Sequence, residues 1–558
     1  MSPTQSSAHK AKNQSPSFAG HNAFRSDPLL KDIAADMPRG LRADFETVGK
    51  YTSSAEAQDL ARIANRAVPE LRTHDASGNR IDQVDFHPSW HALMRRSVSI
   101  GLQGSVWEGR RDEKGVAHQA RAIRFYLTAG LECGHLCPLT MTNASIAAIM
   151  AAPRIEKSWA PQIVSRRYDS SHRPAMQKTG VTIGMGMTEK QGGTDVRANE
   201  SRAVRVGEGV YRLEGHKWFL SAPMSDAFVM LARTGGAASG DTLSEEGLSC
   251  FLVPRILEDG TLNGLRLQRL KEKLGNRSNA SSEVEFSDTY GFLLGGEGEG
   301  IRTILDMVTL TRLDCALASA GMMRASLAEA VHHCRHRRVF GELLIDQPLM
   351  ARVLADLALE VAGATALSMR LARAFDNARD NPAEAAIARL LTPVVKYWVC
   401  KIAPSVLYEI MECMGGNGYV EDRAIARHYR EAPVNAIWEG SGNVMALDVL
   451  RVLTRGRELC DVALDSINTD LGAAGPRTVD VLRACMAVAE RDEGAGRLLT
   501  EQMALAAAAA ELTRLGAGHV AEAFVETRLG GAWRSTYGML DARFDARQIV
   551  DLLYPPAS

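Results

Sequence analysis

The chain has almost no net charge. Its 558 residues carry 65 Lys plus Arg against 66 Asp plus Glu, a net of −1 with a pI near 6.9. No bulk electrostatic pull toward nucleic acid or anionic membranes follows, although a local patch stays open. No run approaches the roughly 18 apolar residues of a membrane span, and the stretch Ala506 to Ala510 reads as packed helix. No basic segment followed by an apolar run opens the chain, so no secretory leader is expected. The nine cysteines are odd in number and scattered, as for reduced thiols in a cytoplasmic protein. Cys133 and Cys137 flank His135, but no second pair stands at zinc-like spacing. Buried thiols are the better reading, and no metal is expected.

What the chain does have is material for several cores. With 46% hydrophobic and 23% charged residues, its length suggests three or four domains. Residues 1–25 are polar and aperiodic and read as a disordered tail. Residues 26–180 read as a helical domain broken by turns at 74–79 and 111–115. From 181 to 290 the period becomes two. Val204, Val206, Val210 and Leu213 flank a Gly207-Glu208-Gly209 turn, and further strands are expected around 228–232, 248–253, 265–267 and 284–286. Strands that follow one another without helices, and no GxGxxG joining strand to helix, exclude a Rossmann unit.

Residues 291–451 return to helical spacing. Leu310, Leu313, Leu317, Ala320, Met323, Leu327 and Val331 mark one long amphipathic helix, with others near 348–375 and 383–413. A C-terminal helical extension covers 452–558, where Thr478 stands as a helix cap after Gly475-Pro476. The fold class expected is mainly α with an inserted antiparallel β domain.

The stretch Ala436-Ile437-Trp438-Glu439-Gly440-Ser441-Gly442-Asn443 sets one carboxylate among small residues, a backbone able to bring Glu439 close to a flat cofactor as a proton-abstracting base. The bland alternative is a helix-capping Glu439 beside a core Trp438. Three other motifs bear on the choice. Met187-Thr188-Glu189-Lys190-Gln191-Gly192-Gly193-Thr194-Asp195 is a turn of small and hydroxyl residues suited to a pyrophosphate. Gly215-His216-Lys217-Trp218-Phe219-Leu220-Ser221 has strand character. Arg337-Arg338-Val339-Phe340-Gly341 is either a phosphate site or a solvated basic turn.

Together with Gly415-Gly416-Asn417-Gly418-Tyr419, these motifs resemble the acyl-CoA dehydrogenase family: its TEPxxGSD turn, its GxKxWIS/T strand, its RxxFG, and its GGxGY followed by a YEGT loop. The resemblance implies a helical, β-barrel, helical-bundle order and FAD as cofactor. Met187, Thr188, Gly193, Thr194, Phe219 and Ser221 would contact the flavin from the β side, and Gly416, Ile437, Trp438, Gly440, Ser441 and Asn443 from the helical side. Arg337, Phe340 and, more weakly, Gln347 would serve the cofactor of a neighbouring subunit, which implies a homotetramer. Glu439 becomes the base. The alternative position for a catalytic Glu on the long helix holds Thr311. Arg312 beside it would hold the CoA moiety, or else pair with Asp314 or Glu299.

Lys273-Leu274-Gly275-Asn276-Arg277-Ser278-Asn279, Asp85-Phe86-His87-Pro88-Ser89-Trp90-His91 and the extension narrow the resemblance to the AidB branch of adaptive-response flavoproteins. The resemblance implies α,β-dehydrogenation of an acyl-CoA with weak turnover, isovaleryl-CoA being the substrate associated with that branch, while a large Trp438 beside the base predicts poor activity on straight chains. The electron acceptor stays open, with an electron-transfer flavoprotein one candidate.

The rival reading is double-stranded DNA binding through the extension, with Arg528 as the contact and Arg534, Arg543 and Arg547 joining it. Residues 451–558 hold 12 Arg and no Lys against 15 Asp plus Glu, a net of −3, so a solvated helical face is the better reading. A third reading keeps the fold but lets oxygen reach the reduced flavin, as in acyl-CoA oxidases.

Overall fold

The computed structural model describes residues 12–235, 247–530 and 543–556. The chain forms two compact units. One holds Met1–Gln58, Ala316–Ala436 and Met445–Ser558, the other Asp59–Cys315 and Ile437–Val444. The eight residues around Glu439 thus belong to the second unit, although most of the sequence on either side of them belongs to the first.

The second unit is built on a sheet that closes. Strands β3 (Ile183–Gly186), β4 (Arg202–Gly207), β5 (Val210–Ser221), β6 (Ala227–Thr234), β7 (Leu248–Pro254), β8 (Leu265–Leu270) and β9 (Ser281–Leu294) follow the hairpin β1 (Glu70–His74) and β2 (Arg80–Asp85). The order β3-β6-β4-β5-β9-β7, with β6 also pairing β7 and β8 pairing β9, makes a small barrel. Its ladders are antiparallel except where β6 meets β3 and β4.

β6 and β7 are buried along most of their length on both faces, because two cores meet there. Phe228, Met230, Phe251 and Val253 point into the barrel with Tyr211 and Leu213. Val229, Leu231 and Leu252 point the other way, onto Ile146, Ile149, Trp159, Ile304 and Met307. That is why these two strands read as continuous apolar runs rather than alternating ones. In β4 the expected apolar phase is not the buried one. Val204 and Val206 face outward, and Ala203 is the residue buried opposite Leu213.

Helix Gly300–His336 buries Leu313, Leu317, Ala320, Met323, Leu327 and Val331, as the spacing predicts. Its 37 residues give it a length of about 55 Å. In the first unit, helices Pro348–Asn377 and Pro382–Cys413 pack with the helices of the extension. Pro382–Cys413 is, among the described residues, long and apolar enough to cross a membrane by length and composition, contrary to the reading of the sequence; 78% of that window is buried, as in a core helix.

Three further expectations are corrected. The turn expected at 74–79 is present, but it joins strands rather than helices, as the tip of the β1–β2 hairpin closed by Asp75 accepting from the N–H groups of Ser77 and Asn79. Thr478 is no cap, because the helix already starts at Gly475 with Pro476 in its first turn, and the Thr478 hydroxyl donates to the Ala474 carbonyl at 2.8 Å. The polar N-terminus is docked from residue 12 onward, while residues 1–11 lie outside the described residues. Asn13 exchanges two hydrogen bonds of 2.7 Å with the Arg338 backbone, and its carbonyl accepts from Arg337 at 2.6 Å. Gly20 N–H donates to the Ser53 carbonyl. Hydrogen bonds, invisible to hydropathy, hold this segment.

Arg528 does not face solvent. It lies in a π-helical turn, its side chain 12% exposed, donating from Nη2 to Asp356 and from Nε to Glu360 at 3.0 Å. Arg543 pairs with Glu526, and Arg547 with Asp346 and Asp551; Arg534 lies outside the described residues. This geometry counts against Arg528 as a phosphate contact. R528M should cost about 3 kcal/mol in denaturant unfolding, since Asp356 and Glu360 lose their cation. A phosphate-contacting arginine would instead lower the slope of log affinity against log salt by about one in a DNA titration, and no such change is expected.

Candidate active site

The site begins with a slip in β5. Between Lys217 and Leu220 the pairing with β9 shifts, so that two residues oppose one. The bulge reverses the phase of the strand. Tyr211, Leu213 and Lys217 point inward before it and Leu220 after it, which turns the Phe219 ring out, 45% exposed. An exposed aromatic on a sheet surface suits a planar ring, and here the Lys271 ammonium stands 4.7 Å from its centroid. Ser221 lies at the strand end, its hydroxyl 3.4 Å from that of Ser281.

Lys217 faces inward to meet Glu189. Its Nζ donates to Glu189 Oε1 at 2.6 Å and to the Leu231 carbonyl at 2.9 Å, and both side chains are fully buried. Burial is the largest influence and would raise the Glu189 pKa, but the Lys217 charge and the hydrogen bonds from Lys217, Ser201 and Glu200 together outweigh it and hold the carboxyl below its usual range. Glu189 also accepts the Glu200 N–H, while Trp218 N–H donates to the Thr188 carbonyl at 2.8 Å and Asn199 to the Met187 carbonyl at 3.0 Å. These contacts lay the turn 187–194 against β5. Gly193 sits so close that a Cβ there would stand 2.6 Å from Thr188 Oγ1, while Thr194 is exposed beyond it.

A second wall is fixed by Glu132. This buried carboxylate accepts from the N–H groups of Gly134 and His135, the Asn65 amide and the Ser278 hydroxyl, and pairs with His135 Nδ1 at 2.6 Å. Burial pushes its pKa up, yet the hydrogen bonds and the imidazole hold it well below the carboxylate range. His135 is therefore used here and by Ser97 Oγ at 2.9 Å. Gly134 must be glycine, because a Cβ would overlap Ser278 Oγ. With Ser278 held, Asn279 and Lys273 come to Cys137. The thiol is pushed up to about 12 by burial, is hydrogen-bonded by Asn279 and Ser221, and lies within the field of Lys273 and Glu439.

The Glu439 charge is thus felt at the Cys137 thiol, beside Ser221. The residue follows helix Ala424–Ile437 in a turn, with φ +59°, and Gly440 follows at +106°. A left-handed conformation in a residue with a Cβ costs about 1 kcal/mol and persists where something over-determines it. Arg312, buried on helix Gly300–His336, donates from Nε to the Glu439 carbonyl at 3.1 Å. Asp314, the suggested partner of Arg312, is taken in two bonds of 2.7 and 2.8 Å by buried Arg121. Thr311 is buried and hydrogen-bonded to the Val308 carbonyl. Ile437, Ser441 and Asn443 are exposed around the turn, with Trp438 half-buried.

The remaining predicted residues belong to the other unit. Phe340 there is 95% exposed at φ +54°, Arg337 is held by the Asn13 carbonyl, and Gln347 donates to the Val339 carbonyl at 3.3 Å. Gly416 opens a short helix, Gly416–Tyr419. The sequence reading missed Glu132, Asn65, Asn279 and the Glu189–Lys217 pair. A lysine on the inward phase of β5, and a Glu and a His inside the apolar run 127–139, were the available signals.

Family models match three stretches: the adaptive response protein AidB N-terminal domain over residues 13–170, and the acyl-CoA dehydrogenase middle and C-terminal domains over 184–289 and 298–454. The chain is 45% identical over 523 residues to AidB of Escherichia coli (strain K12), covering 93% of this chain and 94% of that one. It belongs to the acyl-CoA dehydrogenase family, in the AidB branch. Members are FAD-dependent oxidoreductases. The chain is also 32% identical over 450 residues to acyl-CoA dehydrogenase family member 11 of Caenorhabditis elegans, covering 78% of this chain and 71% of that one. Among solved structures, Caenorhabditis elegans ACDH-11 in complex with C11-CoA superposes with a TM-score of 0.84 at 26% identity, covering 92% and 93% of the two chains. Bd2924 in its apo form gives 0.82 at 27%, covering 90% and 99%.

The residues present suit the family's flavin. Phe219 offers a flat apolar face, the turn 187–194 brings backbone close without Cβ atoms at Gly192 and Gly193, and exposed Thr194 and Ser441 offer hydroxyls.

E189Q leaves Lys217 charged without its counter-ion. It should cost about 3 kcal/mol in denaturant unfolding. Because the folded pKa of Glu189 is lowered, its contribution is present above the unfolded carboxylate pKa and is lost as pH falls through the folded value. Stability measured against pH should therefore have a shallower acid limb in E189Q than in the wild type.

Proposed function

We propose that the chain removes hydrogen from the α and β carbons of an acyl-CoA thioester, with Glu439 as the base. The observation that carries this is the placement of Glu439. Its charge acts on the Cys137 thiol, which Ser221 also hydrogen-bonds, and its turn is clamped by Arg312. The chemistry supplied by bound FAD is acceptance of the β-hydride. Met187, Thr188, Gly193, Thr194, Phe219 and Ser221 hold it from the sheet, and Ile437, Trp438, Gly440, Ser441 and Asn443 from the turn.

Glu439 takes the α-proton. A base fixed in position is typically worth ~10²–10⁴-fold. The negative charge that grows on the thioester oxygen needs donors set in advance, and the Glu439 N–H is one that the rigid turn orients; each such donor contributes ~3–4 kcal/mol. Arg312 acts through the loop, holding the carbonyl on the other side of Glu439, in addition to any part in binding CoA. ACDH-11 solved with C11-CoA supports an acyl-CoA as ligand. Trp438 beside the base narrows the acyl space and favours short branched chains such as isovaleryl.

Arg337, Phe340, Gln347 and Gly416 fit cofactor binding across a subunit boundary, as in a homotetramer. The nine cysteines are free thiols, which supports a reducing compartment such as the cytoplasm.

E439Q tests the proposal. The purified variant should keep the yellow flavin spectrum, while anaerobic bleaching by isovaleryl-CoA slows by ~10²-fold or more. Equal bleaching by variant and wild type would remove Glu439 from the mechanism. Faster bleaching of the wild type by long straight chains than by isovaleryl-CoA would overturn the assignment to Trp438.

A further inference from the structure

A cavity of about 160 Å³ lies in the second unit between β2, the helix Pro88–Ser99 and the turn after β5. Glu439, Ser221 and Cys137 do not line it, although their chain neighbours Pro138 and Ala222 do. Three buried side chains on its wall carry hydrogen-bond donors without protein acceptors: Arg255 at Nε and Nη1, Trp90 at Nε1 and Ser225 at Oγ. Arg255 and Trp90 are 7% exposed and Ser225 2%. A buried donor left unmatched costs about 1–3 kcal/mol, so a cluster of them around one space is the mark of a missing acceptor.

The charges nearby are mostly paired, although the Asp226 and Asp82 charges act on Arg255 through space and Asp82 Oδ1, outside the cavity lining, has no hydrogen-bond partner. Asp226 is held by Lys178 at 2.7 Å and by the Thr182 N–H, and Asp82 by Arg80 at 2.7 Å. Asp169 on the rim is bound by Ser171 and by the Thr179 N–H, and Asp85 by Arg72. Among the described residues no carboxylate pairs with Arg255. His172, 3.5 Å from Arg255 Nη2, has its pKa lowered to about 4 by burial and by the guanidinium, so it is neutral at pH 7. His91 is engaged by the Tyr168 hydroxyl at 2.8 Å. One unpaired guanidinium calls for a single negative charge. Phe86 stacks on Trp90 with ring centroids 4.0 Å apart, and Met94 and Met224 extend the apolar wall.

We propose that this cavity binds a small monocarboxylic acid, its carboxylate on Arg255, Trp90 Nε1 and Ser225 and its apolar body against Phe86. A carboxylate fits better than phosphate, which brings more charge than one guanidinium matches and no apolar body.

Calorimetric titration of the flavin-loaded, full-length protein tests it, with benzoate as probe and benzyl alcohol and inorganic phosphate beside it. Benzoate should bind saturably at one site per chain, benzyl alcohol roughly tenfold more weakly, and phosphate without saturation. R255M should abolish benzoate binding, and W90F should weaken it several-fold with the flavin spectrum retained. If R255M fails to fold, W90F and the comparison of benzoate with its alcohol decide. E439Q should bind benzoate as the wild type does, whatever its turnover. Absence of saturable benzoate binding, equal affinity for alcohol and acid, preferential binding of phosphate, or loss of binding in E439Q would each overturn the proposal.

Discussion

The constraint on which the second unit rests is that β6 and β7 have no solvent face. Each strand must satisfy the barrel interior with one set of side chains and the helical layer with the next, so a shift by one residue would exchange Phe228 for Val229 and Phe251 for Leu252 in both cores at once. Register is therefore strongly specified in the middle of the sheet. The freedom that remains lies in β5, where one extra residue is accommodated, and there the chain presents Phe219.

Buried charge does a different job from buried apolar surface. Replacing an ion pair such as Glu189–Lys217 or Arg121–Asp314 by well-packed apolar residues is often neutral or stabilising, because desolvation cancels most of the attraction. What the pairs provide here is position. Lys217 ties the turn 187–194 to the strand, Arg121 holds Asp314, and Arg312 reaches the Glu439 carbonyl. Glu132 likewise gathers donors from residues 65, 134, 135 and 278, drawing segments distant in sequence to one point.

Much of the fold was legible in the sequence because periodicity reports burial directly. The long helix stripe, the strands near 228, 248, 265 and 284, and the helices near 348 and 383 lie where spacing puts them. The motif turns were legible through their joint likeness to one family's motifs, since small residues and one carboxylate alone also fit a helix cap beside a core Trp438. What was not legible depends on partners far along the chain. The docking of residues 12–25 rests on hydrogen bonds from the Asn13 side chain and the Gly20 N–H to backbone groups of Arg338 and Ser53, and composition cannot register those. Arg528 looked like a surface cation because its carboxylate partners lie some 170 positions away on another helix. The outward Val204 and Val206 mislead for the reverse reason, since alternation gives the period but not which phase faces in.

The clamp between Asn13 and the segment 337–338 ties the start of the described chain to the turn proposed to serve the cofactor. The Asn13 carbonyl fixes the Arg337 guanidinium, and its side chain closes two hydrogen bonds on the next residue. Proteolytic trimming beyond position 12, or a fusion tag that draws this segment off, therefore releases an arginine far away in sequence. Preparations that differ only at their amino terminus need not be equivalent in how firmly they retain their prosthetic group.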